Sequence, residues 1–331
     1  PKPDYATFQR QMRQPPMLKT SMLKTISGNA LSKICFGTMQ FGDGSDHKVS
    51  QSVYLECRAR GINHFDTAHT YTKGLAETWL GAFLRDERDE IFVASKVGYV
   101  GGADPKNLSV QFDESRSRLR QDVVDLLYLH RFDPHTPIEK TLAWFAEQKD
   151  EGRIRHIGLS NFAAWQIAKA HFIGQTLGAK ISAVQPMYSL IKRQAEVEIL
   201  PACTDLGMQC FSYSPLGAGL LTGKYVDQKG EGRLTTNARY AKRYGIEEMH
   251  KCAAALAKIA KEKSVHPATL AVSWILASAF APSPIVSARS LGQLSPVLAA
   301  IDFKMDEATL GMINAVSPMP APATDRLEEQ S

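Results

Sequence analysis

The sequence predicts an α/β protein that folds as a (β/α)8 barrel, also called a TIM barrel. Three observations support this fold class. Eight short apolar runs typical of β-strands alternate with eight segments of helical periodicity. Strict alternation implies parallel strands joined by right-handed helical crossovers. The chain has 331 residues, a length that suits one closed barrel.

An open, doubly wound sheet of the Rossmann type is the alternative arrangement for alternating strands and helices. Its fingerprint is a glycine-rich turn after the first strand. The only glycine cluster that resembles this turn is "GAGLLTG", from Gly217 to Gly223, which follows the seventh predicted strand and has a different spacing. A lone glycine cluster of this kind is more often a loop, so the sequence favours the closed barrel.

The predicted strands are short, apolar and mostly terminated by a polar residue. They cover residues 34–39, 62–67, 91–97, 124–130, 154–160, 181–187, 208–214 and 283–289. The predicted helices repeat apolar residues at amphipathic spacing, and one of them begins at Pro137 and ends at Gly152. The helices cover residues 47–61, 74–86, 109–121, 137–152, 162–176, 196–207, 246–264 and 291–301.

Three further parts of the chain fall outside the eight units. Residues 24–32, "KTISGNALS", are predicted as a small hairpin that closes the bottom of the barrel. Residues 218–245 are predicted as a long polar loop after the seventh strand, and long loops inside compact domains are usually functional. Residues 306–316 predict one last short helix.

The predicted domain organisation has one barrel between two terminal segments. Residues 1–24 form an N-terminal extension, expected to be partly disordered, in which "MLKTSMLKT" repeats a tetrapeptide. Residues 25–316 form the single barrel domain. Residues 317–331 are rich in proline, alanine and polar residues and are predicted to be a disordered tail.

Composition argues against several classes of partner. Apolar residues make up 44% of the chain, which is enough for a sizeable core, and the net charge is +5. The charges are dispersed, so nucleic acid is not an expected partner. No segment approaches the ~18 continuous apolar residues of a membrane span, and the first residues lack the apolar core of a secretory signal. We therefore expect a small-molecule substrate and no membrane partner.

The chain contains five cysteines, an odd number, and no C-x-x-C pair. In a chain of this size, buried thiols in a reducing compartment are expected rather than disulfides. The sequence therefore predicts a cytoplasmic location. It does not indicate the oligomeric state.

Polar side chains follow the predicted strands at one end of each unit. In an α/β barrel the carboxyl ends of the strands form the active-site face, so these side chains should meet there. Taken singly, each has a structural explanation: Ser160 and Asn161 could cap the next helix, and His130 could be a structural histidine. A shared barrel face accounts for all of them together. They are Asp66, Tyr71, Lys96, His130, Ser160, Asn161, Gln185, Tyr213, Ser214 and Arg289.

Four of these side chains suit proton transfer to a carbonyl oxygen. A nearby ammonium lowers the pKa of a tyrosine from about 10, so Lys96 would tune Tyr71 as a proton donor. Asp66 would keep Lys96 charged and oriented, and His130 would polarise the carbonyl. Side chains cannot supply a hydride, whereas a nicotinamide can.

The remaining polar residues suit the other parts of a nicotinamide cofactor. Ser160, Asn161 and Gln185 could hydrogen-bond a carboxamide, and the flat ring of Tyr213 could stack on the nicotinamide. Arg289 ends the eighth predicted strand at the start of the last predicted helix of the barrel, where a guanidinium and a helix N-terminus together favour a phosphate.

A metal-dependent hydrolase or isomerase is the second hypothesis. His64, Asp66 and His69 have a spacing that resembles a set of metal ligands. However, His69 falls in the loop after the strand, and the charge of Lys96 would repel a cation. The sequence therefore favours a site without a metal.

Several stretches resemble the aldo-keto reductase superfamily. They are "FGTM", "HFDTAHTY", "VASKV", "DLLYLHRFD", "IGLSNF", "VQPMYS", "FSYSPLGAGLLTGKY" and "SARSLGQL". They occur in the order found in the family and span Ile34 to Ile301. The segment "YSPLGAGLLTGKY" is similar to the bacterial long-loop branches that contain sugar and general aldehyde reductases.

The resemblance implies a (β/α)8 barrel that binds NADP(H) across the strand ends, with NAD(H) as an alternative cofactor. It implies reduction of an aldehyde or ketone, or oxidation of the corresponding alcohol or sugar. It implies that Tyr71 is the general acid/base and that Lys96, Asp66 and His130 support it. It implies cofactor contacts at Gly37, Thr38, Met39, Asp66, Ser160, Asn161, Gln185, Tyr213, Ser214, Leu216, Gly217, Gly219, Lys224, Ala288, Arg289 and Gln293.

The last predicted helix departs from the pattern common in such proteins. Ser287 stands where glycine is frequent, Val297 stands where an asparagine often contacts adenine, and Pro296 lies in the same helix. The preference for NADP over NAD therefore stays open. The substrate is also open, and so is the direction of reaction, because the same four residues can protonate an alkoxide or deprotonate an alcohol. Some relatives of this family are channel-associated, so a cofactor-binding regulatory subunit is the third hypothesis.

Overall fold

The computed structural model describes residues 23–226 and 230–329, and residues 1–22 of the predicted extension lie outside the described residues. Eight strands form a closed barrel in sequence order. The barrel closes where the first strand pairs in parallel with the eighth, with Phe36 opposite Val286. The predicted fold class is confirmed. The strands are β1 (Cys35–Gly37), β2 (His64–Asp66), β3 (Phe92–Val97), β4 (Val124–Leu129), β5 (Ile154–Ser160), β6 (Ile181–Gln185), β7 (Gln209–Tyr213) and β8 (Ser283–Val286).

Helices surround the barrel and connect its strands. Asp46 and Asp104 cap two of them at their N-termini through their side chains. In the described ranges, no helix combines the length and the apolar content needed to cross a bilayer. The helices are α1 (His47–Ala59), α2 (Leu75–Phe83), α3 (Pro105–Leu119), α4 (Ile138–Asp150), α5 (Ala164–Thr176), α6 (Ile199–Asp205), α7 (Arg233–Thr236), α8 (Ala238–Tyr244), α9 (Glu247–Glu262), α10 (Pro267–Leu276), α11 (Leu291–Leu298) and α12 (Glu307–Ala315).

Strand alternation decides which side chains enter the barrel. On β3, Val93 and Val97 pack against the surrounding helices, whereas Phe92 and Ala94 pack inside the barrel. Since successive side chains point to opposite faces of a strand, Lys96 follows Ala94 into the interior. It does so at the carboxyl end of the strand, where the site is expected.

The two ends of the described chain contact the barrel. The predicted hairpin is present, with an antiparallel bridge between Lys24 and Ala30, and Leu23 packs into the barrel interior. At the other end, Ser317 is buried and its hydroxyl donates to the carbonyl oxygen of Leu190. The division of the chain into extension, domain and tail stays a prediction.

The connection between β7 and β8 contains more helix than the sequence indicated. The long loop predicted there includes α7 and α8, and α9 corresponds to the predicted helix over residues 246–264. The helix α10 was not predicted, because residues 268–275 are all buried and the segment therefore lacks the polar face of an amphipathic helix.

Close packing of α2 against α3 depends on Gly81. A Cβ atom at this position would lie 2.2 Å from the carbonyl oxygen of Leu119. We expect Gly81→Ala to lower the free energy of unfolding by about 1–3 kcal/mol, because the two helices must separate. Urea denaturation measures this change.

The same substitution at Gly311 provides the matched control. Gly311 lies in α12, and a Cβ atom added there would meet no atom of a neighbouring element within 4 Å. Gly311→Ala should raise the free energy of unfolding by up to about 1 kcal/mol through helix propensity. Equal effects at the two glycines would contradict the packing argument.

Candidate active site

A buried ion pair lies at the carboxyl end of the barrel. Lys96 Nζ has no exposed surface and contacts Asp66 Oδ1. It also donates hydrogen bonds to the carbonyl oxygen of Thr67 at 2.7 Å and to Tyr71 Oη at 3.2 Å. Gln185 Nε2 donates to Asp66 Oδ2 at 2.9 Å. Both charges are therefore paired and hydrogen-bonded, as burial requires.

The register of the strands brings the two charges together. β2 pairs with β3 so that Asp66 lies opposite Ala94, two residues before Lys96 in the sequence. Asp66 and Lys96 both face the barrel interior, so the long lysine side chain can reach the carboxylate. The alternation that directs apolar residues into the core therefore also places this pair.

Tyr71 approaches the pair from the loop that follows β2. The backbone after it makes a left-handed turn, with φ of 46° at Thr72, 55° at Lys73 and 92° at Gly74. The Thr72 hydroxyl accepts a hydrogen bond from the backbone N–H of Ala76 at 3.0 Å. The turn thus aims the tyrosine into the barrel and caps the start of α2.

Two helices hold this loop from the outside. Arg118 of α3 donates to the carbonyl oxygen of His69 at 3.2 Å and lies 3.4 Å from the carboxylate of Glu77 in α2. His69 Nε2 lies 2.7 Å from Glu114 Oε2. Glu77 is fully buried and accepts a hydrogen bond from the hydroxyl of Ser95 at 2.7 Å. Because Ser95 belongs to β3, the loop is tied to the strand that carries the lysine.

His130 forms the wall beside Tyr71. The centroids of their rings are 6.1 Å apart, and the ring of Tyr99 lies 4.8 Å from that of His130. Burial lowers the pKa of His130 well below its ordinary value, and the charges of Lys96 and Arg131 lower it further. The ring is therefore neutral at pH 7, and one of its nitrogens carries a proton that it can donate.

Burial and charge act in opposite directions on the pKa values of the cluster. Burial raises the pKa of Tyr71 and Lys96 lowers it, with a net rise, so the expected effect of the ammonium is present but burial outweighs it. At Lys96, burial lowers the pKa, but the Asp66 carboxylate and Tyr71 raise it more. At neutral pH, Tyr71 therefore holds its proton and Lys96 its charge.

The predicted amide-binding residues form one hydrogen-bonded group. Asn161 Nδ2 donates to the carbonyl oxygen of His130 at 2.9 Å, and Asn161 Oδ1 accepts from the hydroxyl of Tyr213 at 2.6 Å. The hydroxyl of Ser160 donates to the carbonyl oxygen of Gln185 at 3.1 Å. The contact with Asn161 fixes the orientation of the Tyr213 ring. The structure therefore brings these residues together, and they hold one another in place.

A cavity of about 1390 Å³ occupies this end of the barrel. It exceeds the roughly 300–1,000 Å³ of ordinary small-molecule pockets. Three residues predicted to lie at the site, Thr38, Lys96 and Gly217, do not line it. The predicted residues that do line it are Gly37, Met39, Asp66, Tyr71, His130, Ser160, Asn161, Gln185, Tyr213, Ser214, Leu216, Gly219, Lys224, Ala288, Arg289 and Gln293.

Arg289 is held in a defined position at the end of the cavity beside β8. Its Nε donates to Gln40 Oε1 at 2.6 Å, and its backbone N–H donates to Gln293 Oε1 at 3.1 Å. Gly44 leaves room for the guanidinium, since a Cβ atom there would lie 2.5 Å from Arg289 Nε. The N-terminus of α11 adds a favourable field for an anion.

Several residues that line the cavity were given no individual role from the sequence, although the loops 99–104 and 218–245 were expected to shape the pocket. In the connection after β7, Tyr240 lies under two guanidinium groups, with Arg233 at 5.3 Å and Arg243 at 5.6 Å from its ring centroid. Near β4, the guanidinium of Arg131 lies 4.8 Å from the ring centroid of Tyr99. The cation-rich stretch "RLTTNARYAKRYG" was the available signal for the first group.

The histidines considered as metal ligands have other surroundings. His64 lies in the barrel interior, with its ring centroid 4.6 Å from Phe211 and 5.0 Å from Phe92. His69 points away from the interior, toward α3. Across residues 23–226 and 230–329, no three His, Cys, Asp or Glu side chains are grouped so that they could hold a metal ion.

Fold and cavity together define a barrel protein with a large cavity at the carboxyl ends of its strands, the place where barrel enzymes act. The family model described as "Aldo/keto reductase family" matches residues 33–318. The chain therefore belongs to the aldo/keto reductase family, whose enzymes are oxidoreductases that use nicotinamide cofactors.

Curated relatives cover most of the chain. The "Uncharacterized oxidoreductase YrpG" of Bacillus subtilis is 31% identical over 90% of this chain and 96% of its own length. A "Probable voltage-gated potassium channel subunit beta" of Arabidopsis thaliana is 32% identical over 83% of this chain and 89% of its own. The "Aldo-keto reductase yakc [NADP(+)]" of Schizosaccharomyces pombe is 30% identical over 87% and 88%.

His64 makes the stability of the barrel depend on pH. Burial, followed by the charge of Lys96, lowers its pKa to about 3, whereas the unfolded side chain titrates near 6.5. Between these two pH values only the unfolded chain binds this proton. The contribution of His64 to the free energy of unfolding is therefore fully present above about pH 6.5 and is lost as the pH falls toward 3. His64→Phe should reduce the slope of unfolding free energy against pH, by up to about 1.4 kcal/mol per pH unit.

Urea denaturation at several pH values between about 4 and 6.5 measures this slope. Phe145 is buried in the core and has no titratable group, so Phe145→Leu serves as the control that should lower the free energy of unfolding at every pH and leave the slope unchanged. Identical slopes for wild type and His64→Phe would refute the assignment.

Proposed function

We propose that the protein is an NADP(H)-dependent carbonyl reductase that uses Tyr71 as its general acid/base. The observation that carries this proposal is the hydrogen bond from buried Lys96 to Tyr71 Oη, at 3.2 Å, at the wall of the large cavity. It places a protonated phenol beside a fixed positive charge. The same group would accept a proton when an alcohol or a sugar is oxidised.

The volume and lining of the cavity fit a dinucleotide. One end carries amides and the oriented ring of Tyr213, which suit a nicotinamide with its carboxamide. The other end carries Arg289 at a helix N-terminus, which suits a phosphate. When bound there, the nicotinamide supplies or accepts the hydride.

The side chains of the protein would then bind and protonate the carbonyl oxygen of the substrate. His130, neutral at pH 7, donates a hydrogen bond to this oxygen and orients it. Tyr71 donates its proton as the oxygen gains negative charge. The ammonium of Lys96 stabilises the phenolate that is left, and Asp66 holds this ammonium in place. The pKa rise caused by burial keeps Tyr71 in the acid form needed for reduction.

Two features favour NADP(H) over NAD(H). Arg289 is fixed by Gln40 and Gln293, and Arg233 lies close enough to Arg289 for their charges to interact, so two guanidiniums are available for an additional phosphate. The relative from Schizosaccharomyces pombe carries NADP(+) in its name. Ser287 and Val297, which depart from the common family pattern, line the same end of the cavity.

The cysteines support a reducing compartment. All five are free and buried, so no disulfide contributes to stability. We propose a cytoplasmic location on this ground.

A cofactor-binding regulatory subunit is the second candidate function. The observation that favours it is the identity of 32% with the potassium channel subunit named above. The native mass of the protein and its turnover with a panel of aldehydes and ketones separate the two functions. NADPH binding without turnover of any carbonyl compound would favour the regulatory subunit.

Tyr71→Phe tests the catalytic assignment. We expect kcat/KM for any accepted aldehyde to fall by about 10²–10⁴-fold, the usual contribution of a general acid, while the Kd for NADPH changes by less than about threefold. Steady-state kinetics and fluorescence titration measure the two quantities. Tyr99→Phe removes a hydroxyl within the same cavity and should cost much less, because the Tyr99 ring makes the contact with His130. Full turnover in Tyr71→Phe would rule out the role.

Arg289→Met tests the cofactor preference. Because an arginine can bind a phosphate through charge-assisted hydrogen bonds, we expect the Kd for NADPH to rise by about tenfold or more and the Kd for NADH to change less. Fluorescence titration with both nucleotides gives the ratio. An equal rise in Kd for both nucleotides would instead assign Arg289 to the phosphates that NADPH and NADH share.

A further inference from the structure

The cavity has a strong excess of positive charge. Among residues 23–226 and 230–329, two acidic residues line it, Asp43 and Asp66, and Asp66 is already paired with Lys96. The proposed proton-transfer residues and the amide side chains of Asn161 and Gln185 do not require so many cations. The cations that line the cavity are Lys73, Arg131, Lys224, Arg233, Arg239, Arg243 and Arg289.

These cations lie on more than one side of the barrel mouth. Arg289 follows β8 and Arg131 follows β4, and in a closed ring of eight strands β4 and β8 are opposite. Arg233 belongs to the β8 side, because its charge interacts with those of Arg289 and Asp43. Phosphates of a dinucleotide held at β8 therefore account for the cations on that side and leave Arg131 without an anion to bind.

Arg131 is connected to the reacting groups through stacked side chains. Its guanidinium lies 4.8 Å from the ring centroid of Tyr99. The Tyr99 ring lies 4.8 Å from that of His130, and the His130 ring lies 6.1 Å from that of Tyr71. A guanidinium that stacks on an aromatic ring keeps the donors along its edge free for an oxyanion.

The nearest acidic residue in the sequence does not neutralise Arg131. Asp133 accepts hydrogen bonds from the backbone N–H of Ala103 at 2.8 Å and of His135 at 2.9 Å, and from the hydroxyl of Thr136 at 2.7 Å. Within the described parts of the chain, Arg131 forms no ion pair with a carboxylate at 4.0 Å or less. Its charge is thus available to a ligand in the cavity.

We propose that the carbonyl substrate carries an oxyanion, either a carboxylate or a phosphate, which Arg131 binds while Tyr71 and His130 hold the carbonyl oxygen. This inference rests on the proposed function and adds the substrate class to it. The rings of Tyr99 and His130 separate Arg131 from Tyr71, so the oxyanion and the carbonyl lie at opposite ends of the substrate.

Two matched pairs of substrates test the inference. The first is 4-carboxybenzaldehyde with methyl 4-formylbenzoate, and the second is glyceraldehyde 3-phosphate with glyceraldehyde. In each pair the readout is the ratio of kcat/KM for the charged compound to that for the neutral compound. We expect about a 10- to 100-fold preference for at least one charged compound, the effect of a charge-assisted contact. The preference should shrink as ionic strength rises.

Variants assign the preference to Arg131. Arg131→Met keeps the apolar stem and should bring the ratio to about one, whereas Arg131→Lys should retain part of it, since it keeps the charge and loses the planar donor edge. Arg120→Met removes one positive charge at the end of α3, outside the cavity lining, and should leave the ratio at its wild-type value. Because the readout is a ratio, a decrease in kcat/KM that is common to the charged and the neutral substrate cancels.

The outcomes separate this inference from the proposed function. Turnover of the neutral compounds without a preference for the charged ones overturns the inference and leaves the proposed function intact. A preference that survives in Arg131→Met overturns the assignment to Arg131. Failure to reduce any of the four compounds with NADPH counts against both the proposed function and the inference.

Discussion

The buried contact between Lys96 and Asp66 is the constraint on which the rest of the site depends. An ammonium without exposed surface is stable only when it is paired and fully hydrogen-bonded, because burial costs several kcal/mol per ion. β2 and β3 must keep their register to make the pair, and Gln185 must reach the second carboxylate oxygen from β6, on the opposite side of the ring. A closed barrel satisfies both conditions at once, whereas an open sheet would separate β2 from β6.

The parts of the fold that depend on local pattern could be predicted from the sequence. Each strand shows as an apolar run, and the polar residue at its end faces the interior because side chains alternate, so Asp66, Lys96 and Gln185 could be assigned to one site. Helix α10 could not be predicted, since a fully buried helix has no polar face to reveal its period. The position of Tyr240 could not be predicted either, because it depends on the path of a long connection.

The protonation of the site also depends on information that the sequence lacks. The sequence shows a lysine and a tyrosine in one cluster, which by itself suggests a lowered phenol pKa. The structure adds burial, and burial raises the pKa of Tyr71 more than Lys96 lowers it. A residue's neighbours can be inferred from strand order, but the water removed from around it depends on how helices and loops cover the barrel.

The left-handed turn after Tyr71 has a consequence for how this protein can change over evolutionary time. Thr72 and Lys73 adopt a backbone conformation that costs an L-residue roughly 1–2 kcal/mol each compared with its right-handed counterpart. Glycine at Lys73 would relieve that strain, whereas glycine at Thr72 would also remove the hydroxyl that caps α2, and either change would loosen the support of the proposed proton donor. At Lys73, a more stable backbone and a firmly held proton donor are therefore opposing requirements, and a search for heat-resistant variants that ignores the proposed activity would favour the loss of that support.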